Sequence, residues 1–201
     1  MTHPYIERGF VVLPTAIPES RAWRHAVLSH REELAPIRYA DPQGERPEGI
    51  GGHLCYDVGD ASWCDRRLPG IQDGYLRVRS LGEALAGPLD LSPLGRSRYV
   101  VKLYPAPEGE QGWHFDTNGV TALLYLSTNM DGTTRIQGLD GLEYTIFPRT
   151  GDLLFLQGRV CWHRADPVHE GVKIVIPFNL YLPGEYSRPT GLDTLIYGPE
   201  T

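Results

Sequence analysis

Two short segments, Trp113-His114-Phe115-Asp116 and Cys161-Trp162-His163-Arg164, restrict the folds open to this chain more than anything else in it. On an extended strand, residues two apart point the same way, so His114 and Asp116 can approach one ion from a single strand while Phe115 faces the other side. His163 then has to arrive from another strand or its end. A closed antiparallel sheet is the natural scaffold for that meeting. Two imidazoles and one carboxylate cap one face of a metal and leave the opposite face open, a donor set suited to non-haem Fe(II).

The second half of the chain supplies the strands such a sheet needs. Arg98 to Tyr104 reads as one, with Arg98, Val100, Lys102 and Tyr104 on one face and Tyr99, Val101 and Leu103 on the other. After the Asn118-Gly119 turn come Val120 to Leu126, Thr133 to Gln137 and Leu142 to Phe147. Beyond the turn Pro148-Arg149-Thr150-Gly151-Asp152 come Leu153 to Leu156 and, after the second metal strand, Val172 to Leu182. Short apolar runs at hairpin spacing predict a mainly β, antiparallel barrel or sandwich.

The first half reads differently. Gly9 to Leu13 is a short strand ended by Pro14, and Pro18-Glu19-Ser20 opens a helix that must stop before Pro36. A second helix is predicted over Gly70 to Ala86, with Ile71, Val78, Leu81 and Leu85 on one side. Between Ile37 and Leu68 the glycines and prolines predict irregular chain. A loop of that length is expected to be functional, here a substrate lid carrying Arg38, Tyr39, His53 and Tyr56. The triad is complete without His53.

Composition narrows the partners. Hydrophobic content of 41% and charged content of 22% are those of a chain that buries an ordinary core. The net charge of −6, with no basic block, argues against nucleic acid. No run approaches the length of a membrane span and Met1-Thr2-His3-Pro4 does not resemble a signal peptide, so a cytoplasmic protein with no membrane partner is expected. Cys55, Cys64 and Cys161 form no metal-binding pair, which fits a reducing compartment, and Cys161 is expected to be a small buried hydrophobe.

After His163 the chain runs Pro167-Val168, Gly171 and Lys173 into an apolar strand, with Tyr104 before His-x-Asp and Tyr125 in the strand after it. This pattern resembles the iron(II)- and 2-oxoglutarate-dependent dioxygenases, most closely their prolyl 4-hydroxylase-like branch. The resemblance implies a double-stranded β-helix (a jelly roll or cupin-like barrel) over residues 98–182, backed by an N-terminal part, 1–97, and followed by a tail, 183–201, all in one domain. It implies His114, Asp116 and His163 as ligands of Fe(II), 2-oxoglutarate and O2 as co-substrates, and Lys173 as partner of the far carboxylate of 2-oxoglutarate. Tyr104 and Tyr125 would assist. The implied reaction is oxidative decarboxylation to succinate and CO2, coupled by default to hydroxylation of an unactivated C–H bond. Relatives that halogenate carry a small residue in place of the carboxylate ligand, and Asp116 disfavours that outcome.

The lysine has weight of its own. Among 19 lysines and arginines, lysine stands only at Lys102 and Lys173. Lys102 shares a strand face with Tyr104 and is therefore a second candidate for the co-substrate carboxylate. Arg38, Tyr39, Arg135 and Arg164 are candidates for holding a small-molecule substrate, an arginine fork being well shaped for a carboxylate. Trp113 and Trp162, each beside a metal ligand, are expected to face outward and pack. Two other readings share the fold: a cupin-type metalloenzyme that does not use 2-oxoglutarate, and a non-catalytic binding module.

Overall fold

The computed structural model describes residues 3–40, 53–186 and 192–197. Its strands are β1 (Phe10–Leu13), β2 (Ala35–Ala40), β3 (His53–Gly59), β4 (Asp90–Leu91), β5 (Val101–Pro105), β6 (Gly109–His114), β7 (Val120–Tyr125), β8 (Thr134–Gln137), β9 (Glu143–Ile146), β10 (Leu153–Leu156), β11 (Trp162–Val168) and β12 (Val172–Tyr181). The helices are α1 (Pro4–Arg8), α2 (Ser20–Ser29), α3 (Ala61–Arg67), α4 (Ile71–Ala86) and α5 (Leu192–Tyr197).

All the pairings are antiparallel, in the order β1-β10-β7-β12-β5-β3-β6-β11-β8-β9, with β2 on β3 and β4 on β12. The sheet curls on itself as a double-stranded β-helix, and β3, paired to both β5 and β6, joins its two halves.

The apolar runs are explained by burial on both faces of the strands. Along β12, Ile174, Ile176, Phe178 and Leu180 pack outward under the helices, while Val175 turns into the barrel. Likewise Ala122 and Leu124 of β7 and Phe155 of β10 join the helix-side core, and Tyr125 and Leu154 join the inner one. Helix α4 seals the outer layer with Ile71, Tyr75 and Val78, at helical spacing. Gly74 lets Trp23 of α2 lie on that helix, since a Cβ there would sit 2.5 Å from the indole.

Of the region expected to be irregular, 37–68, the described residues are largely regular. Arg38 and Tyr39 lie on β2, His53 and Tyr56 on β3, and α3 follows, with the Asp60 side chain accepting from Trp63 N at 3.0 Å to cap it. The alternation Leu54, Tyr56, Val58 faces the inner core, a strand signal masked by the glycines and prolines between the two strands. Pro36, read as a helix stop, sits inside β2, whose one pairing among the described residues is with β3; an edge strand tolerates the missing N–H. Helix α2 ends earlier than expected, at Ser29, and a 3-10 turn over Arg31–Glu33 leads to β2. The centre of the expected lid, residues 41–52, lies outside the described residues. Among the described residues no helix is long and apolar enough to cross a membrane.

Candidate metal centre

Strands β6 and β11 pair with His114 directly opposite His163. This register brings the imidazole ring centroids to 4.2 Å, with the ring planes tilted by 52° and both rings almost fully buried. Asp116 does not share the strand with His114 as expected, because β6 ends at the histidine. The carboxylate is brought in by the following turn, where Asp116 N donates to Gly158 O at 2.9 Å. Its Oδ1 then stands 3.6 Å from His114 Nε2 and its Oδ2 3.6 Å from His163 Nε2. One donor atom from each of the three residues lies within 4.8 Å of the others.

The donor set is prepared for a divalent ion. His114 Nδ1 is 2.8 Å from Gly112 O, and His163 Nδ1 is 2.9 Å from Cys161 O. A carbonyl only accepts, so both Nδ1 atoms carry the proton and both Nε2 atoms turn a lone pair inward. Burial, reinforced by the neighbouring His114, lowers the His163 pKa to about 4, so this imidazole is neutral at pH 7. Burial opposes ionisation of Asp116, but His163, His114 and the Thr121 hydroxyl together outweigh it and hold the carboxyl well below its usual range. Neutral imidazoles and an ionised carboxylate are what a metal requires.

Two supporting residues went unnoticed in the sequence. Thr121 Oγ1 donates to Asp116 Oδ2 and is itself held by Asn118 Nδ2 at 2.8 Å. Gly158 admits the turn: a Cβ there would lie 2.8 Å from Asp116 Cβ and 2.9 Å from Thr121 Oγ1. Gly158→Ala is therefore expected to push Asp116 off the triad and weaken Fe(II) binding about tenfold or more, as loss of supporting contacts does elsewhere. Titration of the apo-protein with Fe(II), with circular dichroism as the fold check, measures it.

Two chambers open from the triad. The first, about 420 Å3 including its open mouth, has His114, Asp116 and His163 in its walls together with Tyr104, Tyr125 and Lys173. Lys173 is 1% exposed, far from the solvated edge charge that a lysine at a strand start usually is. Its Nζ donates to Thr133 O and Thr134 Oγ1, each at 3.3 Å, and lies 5.4 Å from the Tyr104 ring centre and 6.0 Å from that of Tyr125. Burial lowers its pKa to about 7, an effect Asp166 only partly opposes.

The second chamber, about 540 Å3 including its mouth, shares Lys102, Gln111 and Asp116 with the first and is lined further by Leu54, Tyr56 and Val100. Leu192, Ile196 and Tyr197 of α5 also border it, in the tail where no chemistry was read. Gln111 links the parts. Its Oε1 accepts from Lys102 Nζ at 2.8 Å and Tyr104 Oη at 3.1 Å, and its Nε2 lies 2.9 Å from His114 Nε2.

The other sequence candidates are not gathered here. Arg38 ion-pairs with Asp57 at 2.8 Å, and the half-buried Tyr39 packs beside the inner core. Arg135 pairs with Asp166 and Glu143. None of the three lines either chamber. Arg164 borders the first chamber, but its guanidinium pairs with Asp166 at 2.6 Å and lies over the Trp113 ring. Trp113 and Trp162 stack nearly parallel, 6.3 Å apart, and Phe115, 42% exposed, packs on Trp162. His53 pairs with Glu110, away from the triad. Cys161 is fully buried, as expected of a small hydrophobe.

No family model matches the sequence, and no curated protein matches it. Solved structures do. A carbocyclase, SnoK, described as non-haem α-ketoglutarate dependent and from nogalamycin biosynthesis, superposes with a TM-score of 0.72 at 16% identity over 98% of this chain and 88% of its own. The epimerase SnoN of the same biosynthesis gives 0.68 at 19% identity, over 95% and 85% of the two chains. A prolyl-4-hydroxylase from Pseudomonas putida gives 0.60 at 20% identity, over 90% and 96%. At 16–20% identity these likenesses establish the fold, a double-stranded β-helix, in which the His114, Asp116 and His163 side chains converge.

Proposed function

We propose that this protein is an Fe(II)- and 2-oxoglutarate-dependent oxygenase that hydroxylates an unactivated C–H bond of a small molecule. The observation that carries this reading is the buried Lys173 ammonium in the wall of the chamber that also holds the triad. A cation so deeply buried is unfavourable unless a partner uses it. A dicarboxylate co-substrate whose far carboxylate met Lys173, with an ion on His114, Asp116 and His163 at its keto-acid end, would supply that partner. Iron bound there, with O2 and 2-oxoglutarate, supplies the oxidative decarboxylation and the oxidant for the C–H bond.

The chain's own residues bind, orient and exclude water. His114, Asp116 and His163 would hold the ion on one face, leaving the other for co-substrate and oxygen. Tyr104 and Tyr125 flank Lys173 with ring faces that favour its charged form. Tyr125 Oη donates to Thr134 Oγ1 at 2.8 Å, which keeps that wall of the chamber rigid. Epimerisation or ring closure, the activities named for SnoN and SnoK, would use the same centre, and hydroxylation is the default.

The test is an anaerobic titration of the Fe(II)-loaded protein with 2-oxoglutarate, watching for the visible charge-transfer band of a chelated keto acid. A saturable band is expected. Iron binding without any band would remove the co-substrate assignment and favour a cupin-type metalloenzyme.

A further inference from the structure

Asp166, on β11, is 9% exposed, and a carboxylate so buried is costly unless it is paired. Arg135 Nε donates to its Oδ2 at 2.9 Å, Arg164 pairs with its Oδ1 at 2.6 Å, and the Thr133 hydroxyl donates to Oδ2. Burial opposes ionisation, but Thr133 and the two arginines outweigh it and hold the carboxyl below its usual range. Both arginines reach solvent, so their pairing alone does not account for a carboxylate placed this deep. The third partner does. The Thr133 carbonyl accepts from Asp166 N at 2.8 Å and also from Lys173 Nζ at 3.3 Å. Asp166 therefore holds Thr133 by its hydroxyl and by its carbonyl, and the same carbonyl supports the lysine.

We infer that Asp166 is a positioning residue for Lys173: its negative charge, linked to the lysine through Thr133, keeps that buried side chain an ammonium able to bind an anion. The inference rests on the co-substrate reading for the identity of the anion. Charged and titratable groups face Lys173 from several elements: Lys102 and Tyr104 on β5, Tyr125 on β7, Arg164 and Asp166 on β11, and the triad across the chamber. Burial raises both phenols, so they are neutral. Burial is also the largest influence on Lys173 and disfavours its charged form; Lys102 adds to that effect and Asp166 opposes it. A neutral amine would lose the charge-assisted bond that a carboxylate ligand needs. Asp166 itself lies outside the walls of both chambers, so it can support the ammonium without standing where it would repel an incoming anion.

The scarcity of lysine makes the test direct. With lysine carrying 13C at Cε, the metal-free protein gives one signal each for Lys102 and Lys173, and Lys173→Met identifies the latter. Movement of that signal with pH reads the titration midpoint of the amine. In Asp166→Asn, which removes the charge and keeps an oxygen for the Thr133 hydroxyl, the midpoint is expected to fall by about one pH unit or more. Asp166→Glu, which keeps the charge, is expected to retain most of the parent midpoint. An unchanged midpoint in Asp166→Asn would overturn the inference, and so would an equal fall in both variants, which would mean packing and not charge. Circular dichroism checks each fold. If Asp166→Asn does not fold, the same reading is taken from Asp166→Asn combined with Arg135→Gln, which strands one guanidinium fewer. In anaerobic Fe(II)-loaded protein the keto-acid band reads 2-oxoglutarate affinity, expected to weaken in Asp166→Asn about tenfold at pH 8 and less at pH 6, where more of the amine is charged. Equal loss at the two pH values, or none, would overturn the role toward the co-substrate. Absence of the band in the parent would be failure of the co-substrate reading itself, and the carbon signals would still decide whether Asp166 holds the charge on Lys173.

Discussion

Lys173→Met is expected to stabilise the metal-free protein at pH 6 by on the order of 3 kcal/mol, and to weaken 2-oxoglutarate binding about a hundredfold. The first effect follows from linkage. Unfolded, a lysine titrates near its ordinary value of about 10.4. Folded, burial lowers Lys173 to about 7. Between the two values the unfolded chain binds more protons, so this residue makes stability rise with pH across that window. Below pH 7 the amine is charged in both states and the full penalty of burying it is present; above about 10.4 it is neutral in both and the penalty is gone. Urea unfolding of parent and Lys173→Met at pH 6 and pH 10 reads this directly, as a gain at pH 6 that shrinks at pH 10. Equal stabilities at both pH values would mean that the folded amine is not desolvated. The second effect follows from the same pKa. If the far carboxylate needs the ammonium, affinity should fall about tenfold per pH unit well above pH 7, with uptake of a proton on binding. Calorimetry in buffers of different ionisation enthalpy counts that proton. No proton uptake at pH 8 would count against Lys173 as the co-substrate partner.

Asp116→Ala is expected to lower Fe(II) affinity by about a thousandfold and to abolish succinate formation while leaving the fold in place. Losing a residue that merely supports a ligand costs about 10–100-fold in metal affinity, and a ligand should cost more. The fold should persist because Asp116 lies past the end of β6, and its backbone bond to Gly158 O does not involve the side chain. The variant leaves the Thr121 hydroxyl without its carboxylate acceptor, a local cost of about 1 kcal/mol. In the metal-free parent, the depressed Asp116 pKa adds stability above the ordinary carboxylate range, lost as pH falls through the folded value. Asp116→Ala removes that acid dependence. Metal content after equilibration with Fe(II), together with far-UV circular dichroism, separates the outcomes. Parent-like metal content in a folded variant would mean that the carboxylate is not a ligand.

Much of the centre was legible because it depends on strand parity and on rarity. His114 could be paired with the distant His163 because an open-faced metal site needs both, and the register of β6 and β11 sets the two opposite each other. Lys173 stood out because the chain otherwise uses arginine almost throughout, and the structure buries it in the chamber of the triad. Strands β7, β10 and β12 were readable as apolar runs because burial on both faces removes the need for polar alternation.

Other parts were not legible. Strands β2 and β3 went unseen because their signal is short and interrupted by glycine and proline, and because long-range pairing of β3 with β5 and β6, not local propensity, holds them in place. Parity also misplaced Asp116. A strand was assumed to continue where a turn takes over, and the carboxylate is positioned by Thr121 and by the room that Gly158 leaves. Arg135 and Arg164 looked equally available as substrate partners until the structure paired both with Asp166.

What the sequence by itself indicated was the antiparallel β fold class and the three residues that meet at the candidate centre, since apolar runs and the close spacing of His114 and Asp116 are local features of the chain. Only the tertiary structure decided how those residues are supported, that α5 borders the second chamber, and that Lys173 lines one chamber while Lys102 borders both. Burial and cavity walls are assembled from residues far apart in the chain, and no local pattern encodes which of them will meet.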